Sequence, residues 1–169
     1  MLRHLTALSV LALSLLAGGS ARAEYYMVSA YEFRSMNEPS KQFLLSGGRG
    51  GYINSSTGSV TATLRIPTGK VLNTIYCQLL DASSTRDITI TVGEVQSRDD
   101  GGFGTTTMLS MSTSGAPGHT KISSSSWTGP RVIKTWDGQG PYTYYGYTIT
   151  ASLGDTSNLN IKSCAIDFF

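Results

Sequence analysis

Residues 60–66 read Val60-Thr61-Ala62-Thr63-Leu64-Arg65-Ile66, and their apolar side chains recur at every second position. Successive side chains of a β-strand point to opposite faces, so the four apolar side chains would cover one face of this segment. Pro67-Thr68-Gly69 follows, with proline and glycine at the second and fourth positions that suit a tight turn beginning at Ile66. The pattern predicts a half-buried strand that ends in a turn.

Two further segments with the same period follow this strand. Residues 71–80 form the first, and residues 88–92 form the second, after the turn-forming stretch Asp81-Ala82-Ser83-Ser84. We predict that these three strands form a meander. The side chains expected to face the core are Val71, Ile75, Cys77 and Leu79 in the first segment, and Ile88, Ile90 and Val92 in the second.

The remaining chain adds six candidate strands, separated by clusters of Gly, Pro, Asn, Asp and Ser. These candidates are residues 25–33, 105–113, 121–124, 131–136, 142–152 and 159–168. No segment of helical length outside the N-terminal region has a period of 3.6 residues, and Ser and Thr favour strands and turns over helices. We therefore predict an all-β protein, a single jelly-roll-like β-sandwich of about nine antiparallel strands.

The N-terminal residues 1–23 are typical of a secretory signal peptide. A basic start at Arg3 precedes an apolar run over residues 7–17, and Ala21-Arg22-Ala23 supplies small residues for cleavage before Glu24. The run has about half of the roughly 20 apolar residues that a membrane-spanning helix needs. We expect residues 24–169 to form one domain that is secreted to the periplasm or the extracellular space, with no membrane span.

The charge balance of this domain indicates that it does not bind nucleic acid. Of the 13 Lys and Arg residues, Arg3 and Arg22 lie in the predicted signal peptide, which leaves 11 basic and 11 acidic residues. A net charge of zero gives no bulk attraction to phosphate groups.

Cys77 and Cys164 are the only cysteines, and an exported chain meets oxidising conditions. We predict a disulfide between them, with two separate buried thiols as the alternative. In the last strand, the apolar residues Leu159 and Ile161 have odd numbers, whereas Cys164 and Ile166 have even numbers. In an uninterrupted strand the two pairs would therefore point to opposite faces. A β-bulge near Lys162-Ser163 would bring all of these side chains to the core.

The stretch Leu64-Arg65-Ile66-Pro67-Thr68-Gly69-Lys70, followed by Cys77 and Asp81, resembles a motif of small exported bacterial β-sandwich proteins of uncharacterised function. A tyrosine-rich stretch, Tyr144-Tyr145-Gly146-Tyr147, and the terminal strand also match segments of these proteins. The resemblance covers about residues 60–169 and implies a jelly-roll-like fold. It carries no active-site residues.

Residues for catalysis or metal binding are sparse. His119 is the only histidine outside residues 1–23, and no Gly-x-Ser-x-Gly nucleophile motif occurs. Paired carboxylates for glycoside hydrolysis would have to come from Glu32, Glu38, Asp81, Glu94, Asp99 and Asp100. Asp99 and Asp100 could also supply oxygen ligands to Ca²⁺, although Asp-Gly is equally a turn signal. We expect neither enzymatic activity nor a cofactor.

Aromatic residues give the functional hypothesis. Trp127, Trp136, Tyr142 and Tyr144 fall in loops or on the outward side of a strand, where flat apolar rings suit stacking on sugars or packing in an interface. The first hypothesis is a non-enzymatic module that binds extracellular carbohydrate or another cell-surface ligand through these residues. The alternatives are a self-associating, homo-oligomeric subunit of an extracellular matrix, coat or appendage, a small hydrolase, and an ordinary sandwich core that buries the same aromatics.

Overall fold

A computed structural model describes residues 23–36, 43–46, 50–53, 58–136, 143–153 and 158–169. Within these ranges the chain forms eleven β-strands and one short 3-10 helix, Ala30–Glu32. The strands are β1 Glu24–Ser29, β2 Arg34–Ser35, β3 Phe43–Ser46, β4 Gly50–Ile53, β5 Ser59–Thr63, β6 Leu72–Asp81, β7 Thr89–Arg98, β8 Phe103–Ser112, β9 Gly118–Ser124, β10 Thr143–Ser152 and β11 Leu159–Phe168.

The strands form two antiparallel sheets. One has six strands, in the order β3-β4-β11-β6-β9 with β1 also paired to β11, and the other has five, in the order β2-β5-β10-β7-β8. From β5 onwards the chain changes sheet at every connection except the β7–β8 hairpin. Such alternation is typical of double-sheet jelly rolls. The predicted all-β sandwich fold is confirmed.

The predicted meander is wrong, because its three strands do not lie side by side. Strands β5 and β7 belong to the five-stranded sheet, where β10 separates them, and β6 belongs to the opposite sheet. The predicted strand over residues 131–136 is also absent. That segment makes only isolated bridges, from Val132 to Val71 and from Trp136 to Tyr144.

The core lies between the two sheets and follows the period-two pattern. Ile90, Val92 and Ile149 of the five-stranded sheet are fully buried, as are Ile75 and Ile166 of the six-stranded sheet. A β-bulge interrupts the alternation of buried and exposed residues at the start of β6. Thr74 pairs with Asp167 and Leu72 pairs with Phe168, so that Asn73 is the extra residue. The bulge places Leu72, rather than the predicted Val71, in the core, with none of Leu72 exposed.

The disulfide lies within the six-stranded sheet. Cys77 of β6 and Cys164 of β11 are directly opposite in the register, with 4.1 Å between their Cα atoms, and both are buried. The register of β11 shifts between Ile161 and Ser163, so that Lys162 is the extra residue of a bulge. The predicted disulfide and the predicted bulge are both confirmed, and the bulge is what turns Cys164 towards Cys77.

Candidate functional site

The outward face of the five-stranded sheet is polar over most of its area. Its outward residues on β5, β7 and β10 are almost all Ser, Thr or Gly, because the apolar residues of these strands take the alternate, inward positions. Neighbouring hydroxyl groups contact one another, with 2.9 Å between the Oγ1 atom of Thr89 and the Oγ atom of Ser112. Large side chains are therefore conspicuous where they occur on this face.

Three exposed aromatic side chains form a single row across one end of this face. Trp136 is bridged to Tyr144 of β10, Tyr144 is opposite Ser97 of β7, and Ser97 is opposite Phe103 of β8. The exposed fractions are 52% for Trp136, 52% for Tyr144 and 73% for Phe103. We call these three residues the aromatic row. At about 4.8 Å between neighbouring strands, the row spans roughly 14 Å.

Trp136 is held by a segment that is anchored to the body of the protein. Ile133 is buried in the core, and its backbone N–H donates to the carbonyl of Lys70 at 2.8 Å. The N–H of Tyr145 donates to the carbonyl of Thr135 at 3.1 Å, which fixes the segment against β10. These contacts hold the backbone of Trp136 beside Tyr144 in the free protein, which reduces the conformational entropy that is lost on binding.

A buried polar pair lies on the inward side of the same sheet. Tyr147 is opposite Glu94 in the register, and its hydroxyl donates to the Oε2 atom of Glu94 at 3.3 Å and accepts the N–H of Lys134 at 3.0 Å. The Nε2 atom of Gln96 donates to the Oε1 atom of Glu94 at 2.7 Å. The hydrogen bond from Lys134 ties the segment that carries Trp136 to the sheet beneath the aromatic row.

The Tyr147 phenol is expected to ionise at an unusually high pH, because its pKa is raised. Burial raises its pKa from 10.0 to about 12. The hydrogen bond from the N–H of Lys134 lowers the pKa, and the negative charge of Glu94 raises it. Because the pKa is raised in the folded protein, this contribution to stability is complete below pH 10 and is lost as the pH rises towards 12. Ultraviolet titration of the phenolates should therefore show a transition near pH 12 that is absent from the Tyr147→Phe variant. If the variant keeps this transition, the assignment is wrong.

The four predicted site residues do not all lie in one place. Trp136 and Tyr144 are brought together, and Tyr142 lies outside the described residues. Trp127 does not join the row, because its ring packs against the core and its Nε1–H donates to the carbonyl of Asn73 at 2.7 Å. The N–H of Thr128 donates to the carbonyl of Met108, so this loop bridges the two sheets. Trp127 has the contacts of a structural residue.

Phe103 is the member of the row that the sequence interpretation missed. It follows the turn at Asp99-Asp100-Gly101-Gly102 and begins β8. Its relation to Tyr144 depends on two successive strand registers, through Ser97. The sequence does show an aromatic residue directly after a turn motif, at a position outside the pattern of core residues, and this could have indicated Phe103.

The Asp99-Asp100 stretch forms the hairpin turn between β7 and β8. The Oδ1 atom of Asp100 accepts the N–H of Gly102 at 2.9 Å, and its Oδ2 atom lies 3.0 Å from the guanidinium of Arg98. Gly101 has a φ of 83°, which a residue with a side chain rarely adopts. Among the described residues, no three His, Cys, Asp or Glu side chains come together in a group that could hold a metal ion.

His119 and Glu94 are not brought together in the described chain, and the candidate carboxylate Glu38 lies outside the described residues. His119 lies on β9 of the six-stranded sheet, opposite Leu80, whereas Glu94 lies on the other sheet beneath Tyr147. Asp81 is fully buried, where a substrate cannot reach it. No helix in the described ranges is long and apolar enough to cross a membrane.

Neither a family model nor a curated protein matches this sequence. Among solved structures, the chain is similar to the C-terminal family 22 carbohydrate binding module of Clostridium thermocellum Xyn10B. The sequence identity is 13% and the TM-score is 0.45, over 88% of this chain and 93% of that module. At this level, the similarity says nothing about the ligand or about the roles of individual residues.

Proposed function

We propose that the protein is a non-enzymatic module that binds extracellular carbohydrate through the aromatic row. The observation that carries this proposal is the placement of Trp136, Tyr144 and Phe103 in one register row, each at least half exposed. Exposed aromatic rings cost solvation free energy unless a ligand covers them, and clustered ones mark binding surfaces.

The shape of the surface favours an extended glycan over a compact ligand. The row lies on an open sheet face bordered by Ser, Thr and Gly residues. Pyranose rings present apolar C–H faces that stack on aromatic rings, and their hydroxyl groups can hydrogen-bond with Ser97 and neighbouring hydroxyl side chains. A chain of sugars that crosses the strands could contact all three rings, because their spacing follows the spacing of the strands.

Secretion is part of the proposal. The disulfide between Cys77 and Cys164 supports it, because such bonds persist in oxidising compartments. We propose that residues 1–23 direct export and are removed, and that the domain begins at Glu24, the first residue of β1.

Replacement of Trp136 by alanine should weaken glycan binding about tenfold, since a stacking contact contributes on the order of 1 kcal/mol beyond the area that it buries. Isothermal titration calorimetry against soluble polysaccharides, selected first on a glycan array, would measure the change. Tyr144→Ala should act in the same direction. Tyr31→Ala is the matched control, because Tyr31 is 72% exposed but lies in the 3-10 helix that contacts the six-stranded sheet.

Two outcomes would contradict the carbohydrate proposal. The first is an array with no bound glycan, and the second is equal affinity of the Trp136→Ala and Tyr31→Ala variants. Self-association of subunits, the second function hypothesis, would use the same rings. Sedimentation that shows concentration-dependent oligomers, dissociated by Trp136→Ala, would favour that hypothesis instead.

A further inference from the structure

The outward face of the six-stranded sheet carries a groove that is separate from the aromatic row. Its volume is about 330 Å³, and its lining includes Tyr25 and Met27 of β1 and Tyr76 and Gln78 of β6. Tyr25 and Met27 are 66% and 67% exposed. These large apolar side chains on an outward face call for an explanation, as do those of the aromatic row.

The groove arises from the sizes of side chains on three neighbouring strands. Strand β11 lies between β1 and β6, and its outward residues here are the small Ser163 and Ala165. Met27 and Tyr76 flank Ala165 directly in the register, one on each side. Small residues on the central strand form the floor, and large residues on its neighbours form the walls.

One end of the groove is positively charged. Lys121 of β9 is opposite Gln78, and its Nζ atom lies 4.5 Å from the centre of the Tyr76 ring. A neighbouring recess of about 230 Å³ shares Gln78 and Lys121 and adds His119 and Lys162. Lys162 is there because it is the extra residue of the bulge in β11.

No carboxylate of the described chain forms an ion pair with these lysines. The two salt bridges found there, Lys70 with Glu24 and Arg98 with Asp100, involve other cations. The acidic residue of β11 on this face is Asp167, two positions beyond the groove-lining Ala165, where it is buried and accepts a hydrogen bond from Asn73 at 2.9 Å. The groove therefore combines aromatic walls with two lysines that form no salt bridge within the described residues.

We propose that this groove binds an acidic glycan, a polysaccharide built from hexuronic acids. Tyr25 offers a ring for stacking, Gln78 and Ser163 offer groups for sugar hydroxyls, and Lys121 and Lys162 complement the carboxylates. A peptide strand is a poorer match, because the backbone groups of β11 and β6 are already used in sheet pairing on both sides. The site is distinct from the aromatic row and does not depend on it.

Oligomers of galacturonate, mannuronate and glucuronate are the probes for this groove, measured by isothermal titration calorimetry with the purified protein. At least one should bind, and its fully methyl-esterified form should bind at least tenfold more weakly, because esterification removes only the charge. Higher salt should weaken binding of the acid but not of the ester. Lys121→Gln and Tyr25→Ala should each reduce the affinity about tenfold, and Lys121→Arg should restore most of it.

Trp136→Ala is the control that separates the two sites, since it removes a ring from the opposite sheet and should leave uronate binding unchanged. Equal thermal unfolding temperatures would show that the variants are folded. The proposal is overturned if none of the three oligomers binds, if acid and ester bind equally, or if Lys121→Gln binds like the unmodified protein. Dimers that dissociate in the Tyr25→Ala variant would also overturn it, by showing that a second copy occupies the groove.

Discussion

Reduction of the Cys77–Cys164 bond is expected to lower the free energy of unfolding by about 4 kcal/mol. The bond closes a loop with a sequence separation of 87 residues, so its loss greatly increases the conformational entropy of the unfolded chain. A domain of this size is stable by only about 5–15 kcal/mol in total. Reduction should therefore remove between about a quarter and four-fifths of the stability of the protein.

Urea denaturation of the oxidised and reduced protein would measure this difference, with tryptophan fluorescence as the signal. The reduced chain should also show a steeper dependence on urea, because its unfolded state is more expanded. The Cys77→Ala, Cys164→Ala double variant separates the covalent effect from packing, since it additionally removes two buried sulfur atoms. It should be somewhat less stable than the reduced protein. Coincident denaturation curves for oxidised and reduced protein would refute the expectation.

The parts of the fold that the sequence predicted correctly are those that depend on local alternation. The period of two identified β5, β6, β7, β10 and β11 from their apolar positions. The change of phase between Ile161 and Cys164 predicted the bulge at Lys162, because only an extra residue lets both parities face one core. The disulfide followed from the presence of two cysteines and from the expected compartment, and the bulge then placed Cys164 on the inward face with Cys77.

The assignment of strands to sheets could not be predicted in the same way. An alternating pattern shows that a strand has a buried face, but both sheets of a sandwich bury the same core. The turn after Ile66 therefore looked like a hairpin, although the chain there passes to the opposite sheet. Short strands such as β2, with two residues, contain too few positions to show any period.

The residues of the candidate site could also not be predicted from local sequence alone. Trp127 and Trp136 are each followed two positions later in the sequence by a glycine, and nothing local distinguishes the ring that packs against the core from the ring that is half exposed. Their difference comes from distant partners, since the Nε1–H of Trp127 donates to Asn73, 54 positions away. Phe103 joins Tyr144 only through the registers of β7 with its two neighbours.

Asp81 makes buried hydrogen bonds that no sequence pattern shows. Its Oδ2 atom accepts a hydrogen bond from the hydroxyl of Thr113, and its Oδ1 atom accepts the N–H of Ser83 at 3.1 Å. The Oγ1 atom of Thr113 in turn accepts the N–H of Ile88 at 2.8 Å. Asp81 ends β6 and Thr113 follows β8, so this buried network joins the two sheets at the crossover to β7.

Replacement of Asp81 by asparagine is expected to lower the free energy of unfolding by about 3 kcal/mol, because hydrogen bonds to a buried charged group are strong and an amide cannot accept at both positions. One of its sides would present a donor to the N–H of Ser83 or to the hydroxyl of Thr113, which are donors themselves. Urea denaturation would measure the loss.

The matched control is Asp87→Asn, which removes the same charge from an exposed position nearby and should change stability by less than about 0.5 kcal/mol. Thr113→Val tests the other side of the network, because it leaves the carboxylate and the N–H of Ile88 without their shared partner. The double variant Asp81→Asn, Thr113→Val should then be more stable than the sum of the two single losses predicts, since both variants break one network. Additive losses, or equal stability of Asp81→Asn and Asp87→Asn, would show that this network does not hold the crossover in place.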